Sequence, residues 1–549
     1  MRRVVAWLLL ALLVTAAAWS GIWLRHALWN ITMDTKPSSG FLELRALRFN
    51  GDIDNGFNWG KRADHLGYFN VYDELGTPER GKELVDYGPL RLGVMSAWVQ
   101  WLKPRFPNLS RRDKSEYFHA PLLWFNTAME AATALAAWLV TTHLVRRQKL
   151  SVGPNLTKPQ ALSPKPLFLG FIAALLVWFN PIILWNAHAW PQWDIWPMPF
   201  FLLAVYCGCR RWWLGAGLLI GTASLLKGQI FMIAWTLPLW ALCLGDWRGF
   251  LRFIVGALCA VAVGGCVWEL SIYLPGPHGF DRATAGHQQI RRLNWPATLW
   301  AGSWLLFALL LPRRFSITAV CAALGVSLFS TMWLFGGSQH WLESGYEIGT
   351  WHYPFMYVGS TSNLPAILQR YGYGDINYVC FTVNLPKLLQ SLFGGPQWGV
   401  TMRTLLLLIY FTLCAFCAVF AAVNDRRRDP RLAIAICLPW LLFFTISTQI
   451  HERYLLFFSA CAATFVCAGW NFALLAGAVT LVGLGTTLHQ VFLANGIPRG
   501  NGNAAQWKFY PTLHAIVAGT HPGIAWLLLL AAAIFLYSIV PSSPRKEQV

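Results

Sequence analysis

Charge is what this chain has least of. Asp, Glu, Lys and Arg make up 12% of its 549 residues, against about a quarter in an ordinary soluble domain. Apolar residues make up 56% and aromatic ones 15%, and the balance that results is that of a polytopic membrane protein. Acidic residues are scarcer than basic ones, 24 against 43, for a net charge of +19. In a soluble protein such an excess would point to nucleic acid; in a membrane protein Lys and Arg are equally topology signals on cytoplasmic loops, so their positions decide. A disulfide framework is missing as well. Of 12 cysteines, all but Cys380 lie within or at the ends of apolar segments, the setting of small buried core residues. There is no short-period repeat, no low-complexity tract and no polar stretch large enough to fold separately, so residues 1–549 read as one membrane-embedded domain.

What is present is a succession of apolar runs. The N-terminus, MRRVVAWLLLALLVTAAAWSGIWL, has the basic start and the small residues, Ala16–Ala18, of a signal peptide. Its apolar run nevertheless continues to Leu24, about 20 residues, which at about 1.5 Å each crosses a hydrocarbon core of about 30 Å. A retained first helix is the expectation. Further runs lie near 120–144, 167–186, 194–209, 212–226, 229–244, 250–274, 297–311, 315–335, 402–423, 431–448, 454–469, 471–493 and 524–540. They predict an all-α fold of about 14 transmembrane helices, or 12 where short runs merge into re-entrant pairs, particularly over 194–244.

The positions of the basic residues agree with that layout. With the N-terminus cytoplasmic, Arg2-Arg3, Arg146-Arg147-Lys149, Arg210-Arg211, Arg248 with Arg252, Arg313-Arg314, Arg426–Arg428 with Arg431, and Arg545-Lys546 all fall inside. The stretch Asp86–Leu102 looks like a span but would invert every later cluster if it crossed, so it is expected to lie as an amphipathic or half-buried helix on the external face. Two long external segments follow from this topology. Residues 25–119 carry Asp52, Asp54, Asp64, Asp73, Glu74 and Asp86 and form the expected catalytic loop, with juxtamembrane helices. Residues 336–400, aromatic and long, have the composition of a lid or acceptor-contacting surface.

Chemistry-bearing residues recur at the external ends of the helices. Asp52 and Asp54 sit in GDIDNG, expected to be a glycine-flanked loop, where a carboxylate can act as general base toward a hydroxyl or the Asp-x-Asp spacing can offer oxygen ligands to a divalent metal. Asp86 and Tyr87 precede Pro89 at the start of the surface helix, Asp86 in position to cap it. His451, Glu452 and Arg453 stand before an apolar helix, where helix dipole and cationic side chains suit a phosphate. Lys227 and Gln229 lie between two apolar runs, again at an external end before a helix, and repeat this phosphate-suited geometry, which makes them substrate-binding candidates. A Trp-dense turn carries His188, Gln192 and Asp194; aromatic rings beside polar groups suit sugars.

In this order the motifs resemble those of the C superfamily of glycosyltransferases, multi-span enzymes that use sugars carried on a polyprenyl phosphate. GDIDNGFNW is similar to the GD-x-E-x-x-x-x-W stretch of the dolichyl-phosphate-glucose glucosyltransferases, which implies Asp52 as catalytic base and Asp54 as a second carboxylate. DYGPL is similar to their DYPPL with Gly88 in place of the first Pro. WPQWD and LLKGQ occupy the places of their His/Gln loop and Lys-Gln element, and HERYLL resembles the element that contacts the donor phosphate, implying His451 and Arg453. Bacterial relatives share this outline. The resemblance implies an inverting hexosyltransferase, a glucosyl- or mannosyltransferase by class. Its donor is a polyprenyl-phosphate sugar such as a dolichyl-phosphate one, and its acceptor a glycan, lipid or protein. The implied setting is the external face of a bacterial plasma membrane or the lumenal face of the endoplasmic reticulum, with membrane lipid and not nucleic acid as partner. A transporter or flippase of lipid-linked sugars, and a glycan polymerase or ligase, are the competing classes; a transporter should show internal repeats and ionisable groups near the bilayer midplane.

Overall fold

The computed structural model describes residues 2–33, 51–66, 71–72, 85, 87–106, 116–149, 164–271, 317–334, 355–387, 390, 395–494 and 510–541. Asp73, Glu74, Asp86 and the apolar run at 297–311 lie outside them. In chain order the helices are α1 (Arg2–Met33), α2 (Gly51–Leu66), α3 (Pro89–Leu102), α4 (Glu116–Lys149), α5 (Pro164–Trp178) and the single turn α6 (Pro181–Leu184), which runs into a π-helical turn, Trp185–Ala189. Then come α7 (Met198–Cys209), α8 (Trp213–Leu226), α9 (Ile230–Ala234), α10 (Thr236–Cys243), α11 (Trp247–Ser271), α12 (Ile317–Leu334) and α13 (Leu364–Arg370). A hairpin of β1 (Val379–Asn384) and β2 (Gln397–Thr401) precedes α14 (Met402–Arg426), α15 (Leu432–Ile446), α16 (Leu455–Ala462), α17 (Trp470–Ala494), α18 (Tyr510–Thr520) and α19 (Ile524–Ile539).

Helix is the expected state of such a chain, because within lipid each backbone N–H and C=O must be satisfied inside its own segment. Among the described residues, six helices are long and apolar enough to cross a membrane: Leu8–Asn30, Tyr117–Gln148, Pro166–Ala189, Trp247–Gly264, Met402–Arg426 and Trp470–Val491. The pair Thr512–Thr520 and Ile524–Ile539, bent by 68°, makes a seventh if it is one span. Five other apolar helices have 10–17 residues, and 12 residues rise only about 18 Å. Many of the runs visible in the sequence are therefore shorter than a crossing.

Contacts divide the chain into two compact units. The first comprises Met1–Arg48, Ala137–Trp190 and Tyr353–Val549; the second comprises Phe49–Ala136 and Pro191–His352. In the first unit α15 is buried along its whole length, and α14, α16 and α19 pack on it. Helix α1 is pinned to α5: the Arg25 guanidinium stacks on Trp178 at 3.6 Å and donates to the carbonyls of Gly21 (2.9 Å) and Trp178 (3.0 Å). Trp178 in turn donates to the Ala17 carbonyl at 2.9 Å. Arg147 and the buried Asp425 form an ion pair at 2.7 Å. None of the described cysteines forms a disulfide.

In the second unit small residues let backbones approach closely, the packing mode favoured between membrane helices. Gly217 and Gly221, one turn apart on α8, face the Phe253 and Ala257 carbonyls of α11, while Gly256 of α11 faces the Leu214 carbonyl. Helices α2 and α3 pack together. Of the two expectations for α3, amphipathic or half-buried, its burial favours the second: nine of its 14 residues are buried. Its sequence, PLRLGVMSAWVQWL, has no continuous polar face to turn toward water. Pro89 opens it as expected, but the residue at its N-cap is Gly88, extended and without a side-chain cap.

Candidate functional site

The second unit gathers seven of the residues named from the sequence, Asp52, Asp54, Tyr87, Gln192, Asp194, Lys227 and Gln229. Asp52 and Asp54 are not on a loop: the chain is helical from Gly51, and both carboxylates lie in the first turn of α2, where negative charge interacts favourably with the helix dipole. The change matters chemically. Residues two apart on a helix point about 200° apart and do not face each other, so the Asp-x-Asp spacing does not make a two-carboxylate clasp for one ion. Among the described residues no group of three or more His, Cys, Asp and Glu is arranged to hold a metal.

Asp52 is held from outside its own helix. Its Oδ2 accepts a hydrogen bond from Gln192 Nε2 at 2.6 Å. Gln192 is fully buried, and its main-chain carbonyl accepts from Asn126 Nδ2 of α4 at 3.0 Å. Asn126 Oδ1 then accepts from Trp196 Nε1 at 2.6 Å. An indole only donates and a backbone carbonyl only accepts, so the Asn126 amide has one consistent orientation. Gln192 Oε1 is buried and has no hydrogen-bond partner among the described residues. Asn126 escaped the sequence reading; its one signal is an amide inside an apolar run.

Two residues beyond Gln192, Asp194 forms a fully buried ion pair with Lys227. Lys227 ends α8 in an extended conformation, so the cation that the sequence shows between two apolar helices is matched by a carboxylate 33 residues away. Gln229, half-buried, occupies the N-cap of α9, and its carbonyl accepts from Met232 N at 3.1 Å. Behind Asp52 lies an aromatic layer. The buried Arg91 guanidinium sits 3.0 Å from the Tyr87 ring centre and 3.7 Å from that of Trp193, and the Trp193 indole packs on Gly56, one turn along α2 from Asp52. The Tyr87 carbonyl accepts from the Tyr72 hydroxyl at 2.5 Å. Asp64, at the far end of α2, pairs with Lys103.

Gly88, the departure from DYPPL, has a steric explanation. A Cβ there would lie 2.5 Å from the Leu225 carbonyl oxygen, closer than real side chains approach. The glycine lets the entry to α3 press against the end of α8.

The first unit contains the other named residues. His188 lies in the π-helical turn and is buried. His451 precedes a 3-10 turn, Glu452–Tyr454, that leads into α16; Glu452 and Arg453 are both buried. The Arg453 guanidinium sits 5.1 Å from the Trp190 ring and 5.9 Å from that of Tyr454. Against this turn lies Val358–Thr361, part of the 336–400 segment expected as a lid, although none of these four residues was named from the sequence. Val358 N donates to the Ile450 carbonyl at 3.2 Å, and Thr361 Oγ1 donates to the same carbonyl at 2.9 Å. Gly359, at φ +60°, faces the Glu452 carboxylate and Gln490, in a backbone region where a side chain would be strained. Ser360 Oγ is 2.8 Å from His489 Nδ1 and 3.1 Å from Gln490 Oε1, and His489 Nε2 is 2.9 Å from His514 Nδ1. A histidine inside the apolar α17 is the signal that could have drawn attention to this cluster.

Neither the models of known protein families nor the curated proteins contain a match to this chain.

Proposed function

We propose that this protein is an integral membrane glycosyltransferase in which Asp52 is the catalytic base, moving a hexose with inversion from a polyprenyl-phosphate donor to a hydroxyl of a glycan, lipid or protein acceptor. The observation that carries the reading is the Asp52–Gln192 hydrogen bond. A carboxylate at a helix start that accepts a hydrogen bond from a buried amide is held and aimed, which is what a general base requires. The order of motifs along the chain supports the same class. In the first unit the reading gives the donor phosphate to His451 and Arg453, where a charge-assisted contact would stabilise the leaving group. Asp194 and Lys227 serve to hold the Gln192 turn. The finer layout that goes with this reading is 12–14 crossings, with the short apolar helices paired, and a site on the external face.

The test is sugar transfer by Asp52→Asn in membranes, alongside wild type, with a labelled lipid-phosphate sugar. The asparagine keeps size and hydrogen bonding and removes basicity, so transfer is expected to be lost at unchanged expression. Wild-type turnover would remove Asp52 as base.

One observation favours a second reading. Glu130 is fully buried midway along the apolar α4, and an ionisable group inside a membrane span is the hallmark of transport pathways. A flippase of lipid-linked sugars would lose translocation in Glu130→Gln and tolerate Asp52→Asn; the transferase reading expects the reverse.

A further inference from the structure

We propose that the β1–β2 hairpin is seated in the membrane, its apolar face lying at the boundary between headgroups and acyl chains of the leaflet where α14 begins. The proposal is independent of the transferase reading. Antiparallel partners share a face of the ribbon, and the register pairs Phe381 with Val400, Thr382 with Gly399, Val383 with Trp398 and Asn384 with Gln397. One face is therefore Phe381, Val383, Trp398 and Val400, wholly apolar. The other is Thr382, Asn384, Gln397 and Gly399. Neither strand carries a charge.

The apolar face is only half covered by protein. Val400 is buried and Trp398 partly so, whereas Phe381 is 48% and Val383 39% exposed. A two-stranded ribbon is marginal alone in water, and an uncovered apolar half calls for an occupant. Lipid is indicated by continuity. Strand β2 runs directly into α14 at its N-cap, Thr401, and the ribbon is tied to that helix start by Met402 N donating to the Tyr378 carbonyl (2.8 Å) and Arg403 N to the Ile376 carbonyl (3.1 Å). Helix α14 is a candidate span, and its exposed apolar side chains begin at Leu408 and continue through Ile409, Phe411, Phe416 and Val419. Leu408 lies about 10 Å along the helix from Thr401, so the ribbon stands at the rim of the lipid-facing surface. Tyr371, Tyr373 and Tyr378 are exposed beside it, as in the aromatic belts of membrane interfaces.

The experiment places the photo-crosslinking residue p-benzoylphenylalanine at position 381 in the full chain, in membranes containing an alkyne-tagged phospholipid. The same residue at Leu408 is the positive control and at Thr382 the opposite-face control. The expected result is lipid adduct at 381 approaching that at 408 and several-fold above that at 382. Adduct at 381 on another segment of this chain, on a second copy or on a different protein would overturn the proposal, as would no adduct at 381 while 408 labels. Should the 381 variant fail to accumulate, Val383 carries the probe with the same expectation.

Discussion

Gln192 joins three elements through one side chain and one carbonyl, and the consequences can be worked out residue by residue. Replacing Asn126 by Leu leaves the Gln192 carbonyl and the Trp196 indole without their partners, a cost of about 1–3 kcal/mol, readable as a lower unfolding temperature in detergent together with reduced transfer. Asn126→Asp tests the same contact through pH. Ionised, the new carboxylate still accepts from Trp196 but cannot donate to the Gln192 carbonyl; protonated, it can. Activity relative to wild type is therefore expected to rise as pH falls, and a flat ratio would mean that this contact does not position Asp52. The Asp194–Lys227 pair follows different arithmetic. Lys227→Met alone takes the paired cation from a buried carboxylate at a cost of about 3–5 kcal/mol, whereas Asp194→Leu with Lys227→Met removes both charges and should recover most of the loss. A thermal melt of the single and double variants distinguishes these outcomes.

At the scale of elements, close backbone approach sets the packing of the second unit. Gly88→Pro would restore the DYPPL pattern, yet it places ring carbons against the Leu225 carbonyl; a loss of about 1–3 kcal/mol is expected from overpacking. Gly477 in α17 is the contrasting case, because a Cβ there meets nothing within 4 Å. Gly477→Ala should be neutral or stabilise by about 0.4–1 kcal/mol. Denaturation of both variants in one detergent checks the pair; equal effects would argue against the steric account of Gly88. The burial of α3 belongs to the same scale. Charge placement along the chain argues against Asp86–Leu102 as a span, but what lies over α3 depends on Gly60 approaching the Met95 carbonyl and on Gly88 approaching Leu225. Both are contacts between distant parts of the chain.

For the whole molecule, the positive-inside layout makes a directional prediction. Asn58 is exposed on α2, and a cysteine introduced there should react with a membrane-impermeant maleimide from the external side alone; reaction only from the cytoplasmic side would invert the topology. Much of the membrane character was legible in the sequence, because hydropathy is a local property and a helix is the one open-ended way a single segment satisfies its backbone in lipid. The apolar runs, the first helix and the residues Asp52, Gln192, Asp194, Lys227 and Arg453 could all be named in that way. What those residues touch could not be. Gln192 and Asp52 are 140 positions apart, Asn126 and Gln192 66, Lys227 and Asp194 33, and nothing local in an amide or a lysine marks its partner. GDIDNG reads as a loop because glycine and aspartate favour turns, yet the tertiary structure uses it to start a helix, with its carboxylates stabilised by the dipole and by a donor from elsewhere. Sequence alone determined that the chain is built largely of apolar helices and which polar groups interrupt them; only the packing of distant segments decided which of those groups meet, because hydrogen bonds and ion pairs depend on positions a few ångströms apart in space rather than on spacing along the chain.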